Sequence, residues 1–118
     1  MKALAVALAT VAVLAGCGGG PSQPAGSTKV TLSEFKFDPS SVTVTHGKVV
    51  FWLVNSGNVA HDLAIRDSSG NRIAASELLS AGDSKEFDVD NLAAGSYVIF
   101  CTQPGHEGSG MKGTLTVT

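Results

Sequence analysis

Between Lys29 and Thr118 the apolar residues come in short runs, most of them alternating with polar ones and broken by Gly, Asn, Asp and Ser. No stretch sustains a helical period and no segment repeats, so a core must be built from strands. "KVTLSEFKF" (29–37) alternates through Val30 and Leu32, then Phe35 and Phe37, with one slip of phase that reads as a bulge. "SVTVT" (41–45) alternates cleanly and turns at His46–Gly47 into "KVVFWLVN" (48–55). That run is apolar at nearly every position, as in a central strand buried on both faces. "HDLAIRD" (61–67) lies between two turn signals, "SKEFDVD" (84–90) points Phe87 and Val89 inward, and "NLAAG" makes a corner hinged at Gly95. "SYVIFC" (96–101) and "TLTVT" (114–118) are the last two strands. Residues 73–82, "IAASELLSAG", are ambiguous between a helical turn and an irregular loop, since Ala, Glu and Leu favour helix. The expectation is an all-β chain, a β-sandwich of seven to eight strands.

The sandwich does not include the start of the chain. "MKALAVALATVAVLAG" has a basic start of one Lys, an apolar middle too short to span a bilayer comfortably, and small residues at its end. Residues 1–16 therefore read as a secretory signal peptide. "LAGC" resembles the bacterial lipoprotein box, with Cys17 as the residue that takes the lipid. The alternative is an ordinary cleavage site with an incidental Cys. Residues 17–28 continue as a Gly-, Pro- and Ser-rich tether, and residues 29–118 form the domain. Without Lys2 the exported chain has seven Lys and Arg against ten Asp and Glu, a net charge of −3. No basic stripe exists to neutralise phosphates, which argues against nucleic acid as a partner. With Cys17 lipidated, Cys101 is the one remaining thiol and cannot form an internal disulfide.

Cys101 opens the segment "CTQPGHEGSGMKG", which carries Cys101, His106 and Met111 with four residues between each pair. The segment joins two neighbouring strands and can fold back to point all three side chains at one centre. A thiolate, imidazoles and a thioether suit copper, and trigonal His₂Cys with a weak axial Met is the blue-copper arrangement. The loop supplies one imidazole. His61, at the start of a strand and 40 positions before Cys101, qualifies as the other.

"CTQPGHEGSGMKGTLTV" closely resembles the ligand loop of the cupredoxins (azurin, plastocyanin, auracyanin and their relatives), and "VNSGNVAHDLAI" resembles their first-histidine segment. The resemblance covers the body from about Val30 to Thr118 and implies a Greek-key sandwich with a type 1 copper site at one end. It implies His61, Cys101 and His106 as equatorial ligands and Met111 as the weak axial one, with one copper per chain. It places the Ala60 carbonyl on the side opposite Met111. The family usually has Asn after its first histidine, whereas here Asp62 stands there. Asp62 would tie its strand to Thr102, and the backbone N–H groups of Asp62 and Gln103 would donate to the Cys101 sulfur. The implied function is a one-electron carrier, lipid-anchored outside the cytoplasmic membrane of a bacterium. Its partners would be cytochromes or membrane respiratory or photosynthetic complexes, docking on an apolar patch of Val59, Pro104 and Gly105 around His106. A monomer is expected.

Each of these residues also has a plainer reading. A lone Cys at a strand end is usually a small buried hydrophobe, Met111 could fill the core, and a lone His61 could be structural. His46 is the rival imidazole, but its turn falls at the far end of the expected sandwich. Trp52 reads as core packing, and the scattered acidic residues read as solvated faces. A copper-delivery lipoprotein without redox work is the alternative function, though it would usually carry Met- or His-rich tracts. An enzyme would need further copper sites and a second domain.

Overall fold

In a computed structural model, residues 21–118 are described. The signal segment, Cys17 and the first part of the tether lie outside them. Nine strands form: β1 (Thr28–Ser33), β2 (Lys36–Asp38), β3 (Ser41–Val44), β4 (Gly47–Asn55), β5 (Ala64–Asp67), β6 (Arg72–Ala75), β7 (Ser84–Leu92), β8 (Gly95–Phe100) and β9 (Lys112–Val117). They make two sheets, ordered β2-β1-β4-β7 and β3-β9-β8-β5-β6. The pairs β1–β4 and β3–β9 are parallel, and the remaining neighbours are antiparallel. One 3-10 turn, Glu107–Ser109, is the only helical element among the described residues.

The core lies between the sheets. β4 contributes Val49, Phe51 and Leu53, and the Phe51 ring stacks on Phe87 of β7 with centroids 5.8 Å apart. Ile65, Ile99 and Leu115 of the second sheet, with Leu63 just ahead of β5, complete the core, all fully buried. Trp52 is buried too, but it alternates with Phe51 and Leu53 and stands outside the core cluster, between Lys29 and Glu86 in register. β4 is thus central and covered on both faces, while its Trp is not part of the main core.

The strand count exceeds the expected seven to eight for two reasons. The phase slip in "KVTLSEFKF" is not a bulge. Ser33 pairs with Lys36, and Glu34 and Phe35 form a tight turn in which Phe35 takes φ 61°. Residues 73–82 hold no helix. Ala74 and Ala75 pair with β5, and Leu79 forms a lone bridge with His61. Pairing partners in the second sheet override the helix preference of these residues. His61 consequently lies three residues ahead of β5 (Ala64–Asp67) rather than opening it.

The ends of β1, β4 and β8 and the starts of β5 and β9 gather at one end of the sandwich. His46 lies at the other end, where its Nδ1 is 2.8 Å from the Thr118 carbonyl oxygen.

Candidate metal centre

His61 is set by the loop that leaves β4. The buried Asn55 amide donates to the carbonyls of Val59 (2.9 Å) and Leu79 (3.0 Å), and its oxygen accepts from Gly57 N–H (2.9 Å). The His61 main chain then exchanges two hydrogen bonds with Leu79, at 3.0 and 2.8 Å. Anchored on both sides, the ring is fully buried.

Cys101, His106 and Met111 are joined through their own main chain. Cys101 N–H donates to the Met111 carbonyl (3.2 Å), and Met111 N–H donates to the His106 carbonyl (3.0 Å). His106 N–H in turn donates to the Gln103 carbonyl (3.1 Å), and His106 is the residue that precedes the 3-10 turn. The turn closes at Gly110, whose N–H reaches the Glu107 carbonyl at a φ of 109°, a conformation that favours glycine. Gly113, read from sequence as a loop glycine, lies inside β9, where a Cβ would come 2.2 Å from the Ser40 carbonyl oxygen.

The side chains converge. His61 Nδ1 and His106 Nδ1 are 3.2 Å apart, Cys101 Sγ is 3.5 Å from His106 Nδ1, and one ligand atom from each residue falls within 4.8 Å of the others. Two nitrogens each about 2.0 Å from one transition-metal ion stand roughly 3.3–3.6 Å apart at tetrahedral or trigonal angles. The spacing therefore fits a shared ion, and a sulfur with two imidazoles fits copper. Met111, at the far end of the same loop, is fully buried, as are His61 and Cys101, while His106 is half-exposed. His46, at the opposite end, takes no part.

The surroundings hold these groups in place. Burial pushes the Cys101 thiol above its ordinary pKa; the backbone N–H groups of Asp62 and Gln103 pull it back, and the Asp62 carboxylate pushes it up again. A metal ion reverses that preference, because the thiolate is the ligand form. Asp62 accepts from Thr102 N–H at 2.7 Å through one oxygen and from the Thr102 hydroxyl through the other. Asp62 thus meets Thr102 through both its backbone and its hydroxyl.

Three contacts were not visible in the sequence. Glu34, among the acids read as solvated, accepts from the N–H groups of Asn58 (2.7 Å) and Val59 (3.2 Å) and lies 3.3 Å from His61 Nε2. The Asn58 N–H, opposed by desolvation and aided by His61 and Val59, holds its carboxyl below the usual range. Phe35 meets His106 edge to face with centroids 5.3 Å apart. Arg66 lies 4.5 Å over the Phe100 ring and forms an ion pair with Glu107, tying β5 to both flanks of the Cys–His segment. Only the slip of phase at residues 33–35 marked the turn that carries two of these groups.

The copper binding proteins of the plastocyanin/azurin family share a sequence pattern that matches residues 24–118. The chain belongs to that family. Plastocyanin of Scenedesmus fuscus is 41% identical over 87 residues, covering 69% of this chain and 85% of its own. Auracyanin-A of Chloroflexus aurantiacus is 30% identical over 156 aligned positions, covering 99% and 96% of the two chains. The crystal structure of dithionite-reduced auracyanin from Roseiflexus castenholzii superposes with a TM-score of 0.70 at 25% identity, over 78% of this chain and 96% of that one. The protein is thus a cupredoxin, a blue copper electron carrier that holds one copper per chain.

Proposed function

We propose that His61 Nδ1, Cys101 Sγ and His106 Nδ1 are the three close copper ligands and Met111 the weak axial one. The observation that carries this is the convergence of the two Nδ1 atoms and the sulfur within 4.8 Å under a nearly closed surface. Bound copper supplies a centre that cycles between two oxidation states. The protein residues contribute rigidity: every ligand main chain is hydrogen-bonded to another ligand or to a fixed neighbour, so little rearranges when an electron moves. The half-exposed His106 is where the set reaches solvent. Phe35 (43% exposed) and Val59 (46%), with the exposed Pro104 and Gly105, provide an apolar rim on which a redox partner docks.

The partner class is a cytochrome or a membrane respiratory or photosynthetic complex. The working place is outside the cytoplasmic membrane, with export by residues 1–16 and anchoring through a lipid on Cys17. This placement rests on the "LAGC" sequence; no helix among the described residues is long and apolar enough to cross a membrane. The protein acts as a carrier rather than an enzyme. Voltammetry of the copper-loaded protein tests the reading: a reversible one-electron wave with rapid exchange to a cytochrome is expected. Copper that leaves readily to an acceptor protein, without such a wave, would instead identify a delivery protein.

A further inference from the structure

The Glu34 carboxylate has no place in the ligand set, yet it sits behind one of its rings. It stands at the tip of the β1–β2 turn, 27 positions before His61 in sequence. Its Oε1 receives Asn58 N–H at 2.7 Å and Val59 N–H at 3.2 Å, and is 3.3 Å from His61 Nε2. An ionised carboxylate can only accept, so the imidazole must present Nε2–H to it. A neutral imidazole protonated at Nε2 keeps its lone pair on Nδ1, the atom that faces His106 Nδ1 and Cys101 Sγ.

Gly57 supplies a second observation. A Cβ built there would lie 2.4 Å from Glu34 Oε1 and 3.0 Å from His61 Nε2. Any side chain at position 57 would occupy the space in which carboxylate and ring meet. The Asn55 amide fixes Gly57 N–H at 2.9 Å and so holds that space open.

We propose that Glu34 is a positioning residue for the copper centre: through the gap left by Gly57 it accepts from His61 Nε2–H, fixes the tautomer and tilt of the ring, and raises the donor strength of Nδ1. The inference rests on His61 being a ligand. Carboxylate–imidazole–metal relays act in this way elsewhere, and losing the outer partner typically costs about 10–100-fold in metal affinity. Added donor strength stabilises the more highly charged cupric ion over the cuprous one, so Glu34 should also hold the potential down.

The test compares the full chain with its Glu34→Ala, Glu34→Gln and Gly57→Ala variants, using cupric ion as the probe. In the metal-free protein, nitrogen NMR is expected to show His61 as the Nε2–H tautomer. Glu34→Ala should release it into a tautomer mixture, whereas Glu34→Gln, which keeps an acceptor oxygen, should retain it. With copper, Glu34→Ala should keep the blue band while cupric affinity falls about 10–100-fold. Glu34→Gln should recover much of that affinity yet show a raised potential, since it restores the hydrogen bond without the charge. Gly57→Ala should resemble Glu34→Ala. Unchanged tautomer, affinity and potential in Glu34→Ala, with the blue band present, would overturn the positioning role alone. A blue band that survives His61→Ala would instead overturn the ligand assignment beneath it.

Discussion

Asp62 and Thr102 tie the segment ahead of β5 to the segment that follows β8. The carboxylate takes both Thr102 donors, is itself almost fully buried, and lies close enough to Cys101 to push the thiol pKa up. A nearby negative charge favours the cupric state. Asp62→Asn, which can keep one acceptor, is therefore expected to raise the reduction potential in voltammetry; a potential that stays put or falls would refute this. Elsewhere, Asp67 accepts from Ser69 N–H (3.0 Å) and Asn71 N–H (2.9 Å), and the Asn71 backbone is the main cause of its lowered pKa. A depressed carboxyl stabilises the fold above its unfolded pKa, and the stabilisation is lost as pH falls through the lower folded value. Asp67→Ala should thus unfold more easily in denaturant at neutral pH, with the difference fading as pH drops below the ordinary carboxyl value of 3.8. Residues of the Cys–His–Met loop were legible because their donor atoms name a chemistry. Glu34 was not, because a carboxylate among scattered acids looks the same whether it meets water or a ring 27 positions away.

At the level of elements, β7 alternates in sequence and turns Phe87 and Val89 inward as read, while the nearly continuous apolar run of β4 lies at its side, with Phe51 opposite Phe87 and both rings in the core. Phe51→Ala should cost about 3–5 kcal/mol in chemical denaturation, the range for emptying a buried aromatic site. The connections were less legible. Ala, Glu and Leu in residues 73–82 favour helix locally, but Leu79 gains more by pairing with the His61 main chain and burying its side chain completely. Asn55 is the last residue of the apolar β4 run in the sequence, and only the fold shows three partners around its buried amide. Asn55→Ala would strand the Val59 carbonyl and the Gly57 N–H and leave the Leu79 carbonyl with the His61 N–H as its one donor. It should lower stability by about 1–3 kcal/mol and broaden the copper spectrum, because the loop carrying His61 loses its anchor. A stable variant with an unaltered spectrum would show that the Leu79 bridge alone suffices.

Over the whole molecule, the sandwich sets the start of the domain and the metal-binding end apart. β1 runs toward the metal end, so Thr28 and the tether before it leave from the opposite end, beside Thr45 and Lys48. A lipid on Cys17 would then present the His106 face away from its own attachment point. Removing residues 1–28 is expected to leave spectrum and potential unchanged while slowing electron exchange with a membrane-bound partner, through lost effective concentration. Equal rates with and without the anchor would argue against that placement. The sandwich itself was legible from strand patterning; which end held the site was legible only because the metal-binding residue types cluster beside strand ends. The most direct test of the whole account is the visible spectrum of the purified protein after cupric ion is added. An intense blue or green thiolate-to-copper band, abolished by Cys101→Ser, is the predicted result, and a faint d–d absorption alone would contradict it.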